Sequence, residues 1–224
     1  MKSLARFTLI ELLTVIFTIA LLIGLLLPAL NAARRKAHAA NCLSNCRQTF
    51  LALNSYADDH QEMFPVVHRL ENGNFSHLEE LEGDPQWFEP LMDHYRYKPA
   101  YLHCPSDPGF SGTIQSYMFN AIYTVGYKRT TLRNPSRLII LSERGEQNGN
   151  AVGHQCYPGF SEPDDVKAVL NTVRHTGAAN YLFLDGHSAA HRFEETIGDG
   201  SEERNRHFVK QWCGSYQEAH SHSH

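Results

Sequence analysis

Residues 7–27 form an apolar run interrupted only by Thr8, Glu11, Thr14, Thr18 and Gly24. At about 1.5 Å of rise per residue, a helix over this run spans roughly 31 Å, the thickness of a bilayer's hydrocarbon core. A secretory signal peptide has an apolar region of only about 7–15 residues, followed by a small-x-small cleavage site. This run is longer, and Leu25, Leu26, Leu27 and Pro28 offer no such site. A membrane-spanning helix is therefore expected before any globular fold is considered. Glu11 is its one charged residue. A carboxylate at the centre of a spanning helix costs about 2.5–3.5 kcal/mol. Glu11 lies only four residues past Phe7, near the membrane entry. There it either reaches the interface or meets a positive partner, such as the α-amine of a neighbouring subunit.

The rest of the chain is different in kind. Mean hydropathy over all 224 residues is −0.39 despite the apolar run, so the average conceals a two-part molecule. A hydrophobic content of 42% is too high for a disordered chain. Twenty basic residues against 24 acidic ones give a net charge of −4. That balance argues against a nucleic-acid binder, which needs a concentrated basic surface.

The amino terminus carries a recognisable motif. A short basic leader at residues 2–6, followed by Phe7-Thr8-Leu9-Ile10-Glu11-Leu12-Leu13, resembles the start of type IV pilins and of type II secretion pseudopilins in bacteria. The resemblance implies a prepilin peptidase cut between Arg6 and Phe7 and N-methylation of Phe7. It makes Glu11 the assembly residue that neutralises a neighbour's amine, and Pro28 the kinking proline of the long helix. The residue before the cut is usually Gly or Ala in that family, whereas here it is Arg6. Lys2 and Arg6 precede the span, and Arg34, Arg35 and Lys36 follow it. A positive-inside count would place the carboxyl-terminal domain in the cytoplasm. The resemblance implies the opposite: a single-pass inner-membrane protein with its globular domain extracytoplasmic, in the periplasm or on the cell surface in a filament.

Helical character continues past the apolar run. Leu30, Ala33, Ala37, Ala40, Leu43, Arg47, Phe50 or Leu51, Asn54 and Ala57 recur at three-or-four spacing, and residues 31–59 contain neither Gly nor Pro. One continuous helix from about Phe7 to about Asp59 is predicted, bent at Pro28. Beyond it, residues 117–123 and 137–141 read as strands, with loops at 145–159 and 198–206. Asp185-Gly186 between residues 180–184 and 187–193 is a strong hairpin signal. One long helix followed by short strands indicates an α+β fold, with an antiparallel sheet packed on the helix as in pilins. The expected division is a leader (1–6), a transmembrane or filament-core helix (7–30), a helical spine (31–60) and a globular domain (61–224) holding the hairpin near 175–193.

A second resemblance covers the carboxyl-terminal half. His175, nine intervening residues and then Asp185-Gly186 look like the His-x9-Asp-Gly element of a pilin-like bacterial family. Cys104-Pro105-Ser106-Asp107 and Asn134-Pro135-Ser136-Arg137 look like its recurring segments. That family is defined by pattern and carries no demonstrated activity.

Chemistry-bearing motifs are sparse. Asp185 suits the turn position of an Asp-Gly hairpin, and His175 is expected to pack or hydrogen-bond nearby, with a ligand site or a catalytic pair as lesser alternatives. No nucleophile elbow, phosphate loop, dinucleotide fingerprint or His-Glu-x-x-His occurs. Catalysis is not expected. The five cysteines, Cys42, Cys46, Cys104, Cys156 and Cys213, contain no Cys-x2-Cys pair of a zinc ribbon, so no metal site is read from them. Cys42 and Cys46 share one helix face. Oxidation beyond a membrane would allow a disulfide from either of them to Cys104, and buried free thiols are the alternative. Asp164, Asp165, Asp199 and Glu202 lack the oxygen density of a calcium loop, which leaves calcium as a weak expectation and no other cofactor. The alternating His220, His222 and His224 read as a solvated tail.

The expected function is a structural subunit that self-assembles through its amino-terminal helix, with prepilin peptidase and the secretion or pilus machinery as partners. The competing expectation is a monomeric, membrane-anchored extracytoplasmic binding module for a glycan or a secreted partner, with Trp87, Phe88, Tyr95, Tyr97 and Tyr101 as candidate sugar-contacting residues.

Overall fold

The computed structural model describes residues 8–71, 74–77, 86–109, 115–145, 156–157, 163–198 and 204–207. Contacts divide the chain into two compact units, residues 1–38 and 39–224. Helix α1 (Leu9–Asp59) contributes to both and runs on through Pro28.

In the first unit α1 begins with a capping box. Thr8 donates from its backbone N–H and its hydroxyl to Glu11 Oε2, both at 2.8 Å, and its hydroxyl accepts from the Glu11 N–H at 3.3 Å. Thr-x-x-Glu is the sequence signature of that cap, which satisfies backbone donors left over at a helix start. Beyond it the apolar side chains are exposed: Leu9 is 84% exposed and Leu25 71%. An 18-residue window of α1 reaches a mean hydropathy of 2.7 with none of it buried. By length and composition, α1 can cross a membrane.

The second unit uses the same helix differently. Cys42, Asn45, Cys46, Thr49, Ala52, Leu53 and Ala57 are buried. Their three-and-four spacing draws one stripe along α1, the face turned to the core. Against it lies a sheet. Strands β1 (His68–Glu71) and β2 (Asn74–His77) form a separate antiparallel hairpin. The main sheet comprises β3 (Tyr117–Asn120), β4 (Ile139–Glu143), β5 (Cys156–Tyr157), β6 (Ala179–Phe183) and β7 (Ser188–His191), in the order β5-β3-β4-β6-β7. The β3–β4, β4–β6 and β6–β7 pairs are antiparallel, and the two-residue β5 joins β3 in parallel. The chain is thus an α+β fold with a long amino-terminal helix packed on an antiparallel sheet.

Alternation along the strands sends Phe119, Leu141 and Leu182 into the core shared with Leu53, Trp87 and Leu91. Met118 faces away and packs with α3 (Pro163–Val169) and α4 (Phe193–Ile197) through Val166, Phe193 and Ile197. Because both faces are covered, β4 and β6 are buried at every position. They therefore lack the regular polar alternation of a half-solvated sheet, and their few polar residues, Ser142, Glu143 and Asn180, are buried with the rest.

The structure corrects several expected boundaries. The strand expected at 117–123 stops at Asn120. The Asn120 side chain accepts from the Ile122 N–H and starts a 3-10 turn, Ala121–Thr124. The strand expected at 137–141 is shifted to Ile139–Glu143. The run expected to extend to Phe193 ends at His191, because Phe193 opens α4. Helix α2 (Glu89–His94), α3, α4 and the β1–β2 hairpin were not anticipated.

Candidate functional site

The sheet parity that sends Leu141 toward α1 sends Glu143, two residues on, to the same face. A carboxylate thereby enters the core, with 0% exposure. Opposite it, α1 presents Cys42, also at 0%. Cys104 follows the 3-10 turn Pro99–Leu102, where its N–H donates to Ser116 Oγ at 2.9 Å. His175 is set by a tight turn in which Thr176 (φ 62°) and Gly177 (φ 84°) are left-handed and the His175 N–H donates to Ala178 O at 2.9 Å. One ligand atom from each of Cys42, Cys104, Glu143 and His175 lies within 4.8 Å of all the others.

His175 Nε2 is the hub. It lies 2.8 Å from Glu143 Oε1 and 3.5 Å from Cys104 Sγ. Asn180 Nδ2 donates to the same carboxylate oxygen at 3.2 Å, while Glu143 Oε2 is buried with no hydrogen-bond partner among the described residues. A nucleophile–base–acid relay uses the two different ring nitrogens of its histidine. Here the sulfur and the carboxylate converge on one nitrogen, which is the geometry of several donors meeting at a point.

The protonation states follow from this crowding. The contact with Cys42 pulls the Cys104 thiol down to about 5, against burial and with help from His175. The same contact drives Cys42 upward, and burial adds to it. Burial opposes charge on His175, yet Cys104 and Glu143 outweigh it and hold the imidazole at about 9. Burial raises Glu143, with His175 pulling the other way. Cys46, one turn from Cys42, is pushed well up by burial and is outside the four-residue cluster.

A second layer holds the segments in place. Asp107 accepts from Arg144 Nη2 at 3.3 Å and pairs with Arg174 Nη2 at 3.4 Å, all three side chains being almost wholly buried. Arg174 also donates to Arg144 O at 2.7 Å, and Arg144 to Gln115 O at 2.6 Å. The Cys104 loop, the end of β4 and the His175 turn are thus tied through one carboxylate.

The expected site residues separate. His175 joins the thiols, whereas Asp185 stays in the hairpin turn, accepting from the His187 N–H at 3.0 Å and contacting His187 Nδ1 at 2.5 Å. Gly186 has φ +90°, and a Cβ there would stand 2.4 Å from Phe50 Cε1 of α1. This half of the motif is therefore turn and packing. Cys42, Cys46 and Cys104 are free thiols, and Cys42 is the one placed beside Cys104. The Arg6–Phe7 junction, Cys213, Asp199, Glu202 and the His220, His222 and His224 tail lie outside the described residues, as do the side chains of Cys156, Asp164 and Asp165. Of the aromatics considered for sugar contact, Trp87, Phe88 and Tyr97 are core residues. Tyr95 and Tyr101 border a groove with Ser55, Arg96 and Lys98.

Sequence reasoning missed Glu143. Its signal was present in the strand residues 139–143, where an acid stands two positions after an inward leucine. Comparison of the chain with family models, curated proteins and solved structures finds no match.

Proposed function

We propose that the chain is a structural, pilin-like subunit, anchored by α1 in the inner membrane with its globular domain on the extracytoplasmic side, and assembled into a type IV pilus or a type II secretion-type pseudopilus. The observation that carries the reading is α1 over residues 9–30: apolar on every side, exposed among the described residues, and charged only at Glu11. Such a helix needs lipid or other helices around it. The amino-terminal motif supports the second of these. The prepilin peptidase and the secretion or pilus machinery are the partners this function requires.

Glu11 also closes a capping box, so its test must separate charge from cap. Glu11→Gln keeps a residue able to cap at that position, whereas Glu11→Ala loses both. In the native host, a filament subunit should lose incorporation with either substitution while remaining in the membrane. Incorporation unchanged in Glu11→Gln would favour the monomeric anchored binding module, for which the groove bordered by Tyr95 and Tyr101 is the place to seek a ligand. Mass spectrometry of the mature protein should find N-methyl-Phe7. An intact Met1 would contradict processing.

A further inference from the structure

We propose that Cys42, Cys104, Glu143 and His175 bind one zinc ion in a closed, tetrahedral structural site that fastens α1 to the sheet. The donor set is of the kind zinc takes: two sulfurs, an imidazole nitrogen and a carboxylate oxygen.

Two of its spacings lie near those of a filled site, and all four ligand atoms are within 4.8 Å of one another. Zinc bonds of about 2.3 Å to sulfur and about 2.0–2.1 Å to nitrogen or oxygen place tetrahedral ligand atoms roughly 3.3–3.8 Å apart. Cys104 Sγ to His175 Nε2 is 3.5 Å, already within that range. His175 Nε2 to Glu143 Oε1 is 2.8 Å, the length of a hydrogen bond. A metal replacing the shared proton would part this pair by about half an ångström. Zinc entry would release that proton and the Cys42 thiol proton to solvent, leaving two thiolates, a carboxylate and a neutral imidazole around the ion. The resulting net charge of −1 would stand beside Arg174, whose positive charge already acts on Glu143.

Two alternatives use these residues less completely. A Cys42–Cys104 disulfide needs neither His175 nor Glu143, and it leaves the buried Glu143 carboxylate with only His175 and Asn180 against it. Nucleophilic catalysis by Cys104 needs access to a substrate, and Cys104 is 0% exposed. Zinc engages all four side chains. It would do for this domain what a disulfide does elsewhere, joining the spine to three segments of the globular fold. This inference does not depend on the filament reading.

The test uses the full chain, purified in detergent with a reductant. Elemental analysis after dialysis should find about one zinc per chain, retained in Cys46→Ser and lost in Cys104→Ser and Glu143→Gln. Cobalt exchanged into the wild type should give thiolate-to-metal absorption that Cys104→Ser removes. Stripping the ion with a chelator should lower Tm by about 10 °C, restored by zinc chloride. If the cysteine variants fail to fold, titrating zinc chloride into the folded wild-type chain still decides. A folded, reduced chain that takes up no zinc overturns the proposal. So does a Cys42–Cys104 disulfide found by peptide mapping after alkylation in native cells.

Discussion

The two halves of α1 obey opposite rules. Over residues 9–30 the helix is apolar on all sides and none of the described residues buries it; over residues 42–57 it narrows to one buried stripe that includes Cys42, Asn45, Cys46 and Thr49. Polar atoms enter the second half because the domain supplies partners: Asn45 Nδ2 donates to His103 O at 2.7 Å, and Thr49 Oγ1 meets Tyr97 OH at 2.8 Å. The first half has only Thr8 and the helix's own carbonyls to offer, and Thr14 and Thr18 accordingly donate back to Glu11 O and Val15 O. Side-chain chemistry along one helix thus reports what surrounds each half.

This contrast predicts that damage to the domain leaves the anchor intact, and the reverse. The largest effect should come from Asp107→Ala, which strands Arg144 and Arg174 as buried charges. A loss of about 3–5 kcal/mol is expected in denaturant unfolding of the full chain, with membrane partitioning unchanged. A loss below 1 kcal/mol, on the order of a surface change, would show that the clamp is not structural. Next is Gly186→Ala. A left-handed backbone and a clash with Phe50 should together cost roughly 2–4 kcal/mol. In a double-mutant cycle, Phe50→Leu should recover the steric part. Strict additivity would mean that the ring is not the obstacle.

A pH-dependent effect, small near neutrality, should come from His207. Burial, with the Arg206 charge adding to it, lowers its pKa to about 3. Its depressed folded pKa favours the native state above the unfolded value. That contribution drains away as pH falls from about 6.5 toward 3, by up to roughly 1.4 kcal/mol per unit. Thermal unfolding across this range should be steeper for wild type than for His207→Gln, and parallel curves would exclude the histidine as the cause. Smallest of all on domain stability is Glu11→Gln, expected to change it by less than about 0.5 kcal/mol. A larger shift would mean that the anchor and the domain are energetically coupled.

Legibility followed the range of the interactions. The helix, its membrane-compatible half and the Asp-Gly hairpin are set by neighbours in sequence, and all were readable from periodicity and turn chemistry. The shift of β4 to Ile139–Glu143 was not. Its register depends on pairing with β6, with an irregularity between Ile139 and Leu141, and on Arg206 O accepting from the Ile139 N–H at 2.9 Å. Phe193 opens a helix because the Glu195 side chain accepts from the Arg192 N–H at 3.3 Å and closes the first turn. The four-residue cluster was the least legible. Cysteine spacing suggested no ligand pair, because the spacing rules describe donors brought together by one short loop, whereas these come from a helix, a loop, a strand and a turn.

Residues 42, 104, 143 and 175 span most of the sequence between the apolar half of α1 and the hairpin. No fragment of the chain released early from synthesis or export contains the whole cluster. The two sulfurs, the imidazole and the carboxylate meet only after the His175 turn has docked beside the helix, so their meeting serves as a signature of a finished domain.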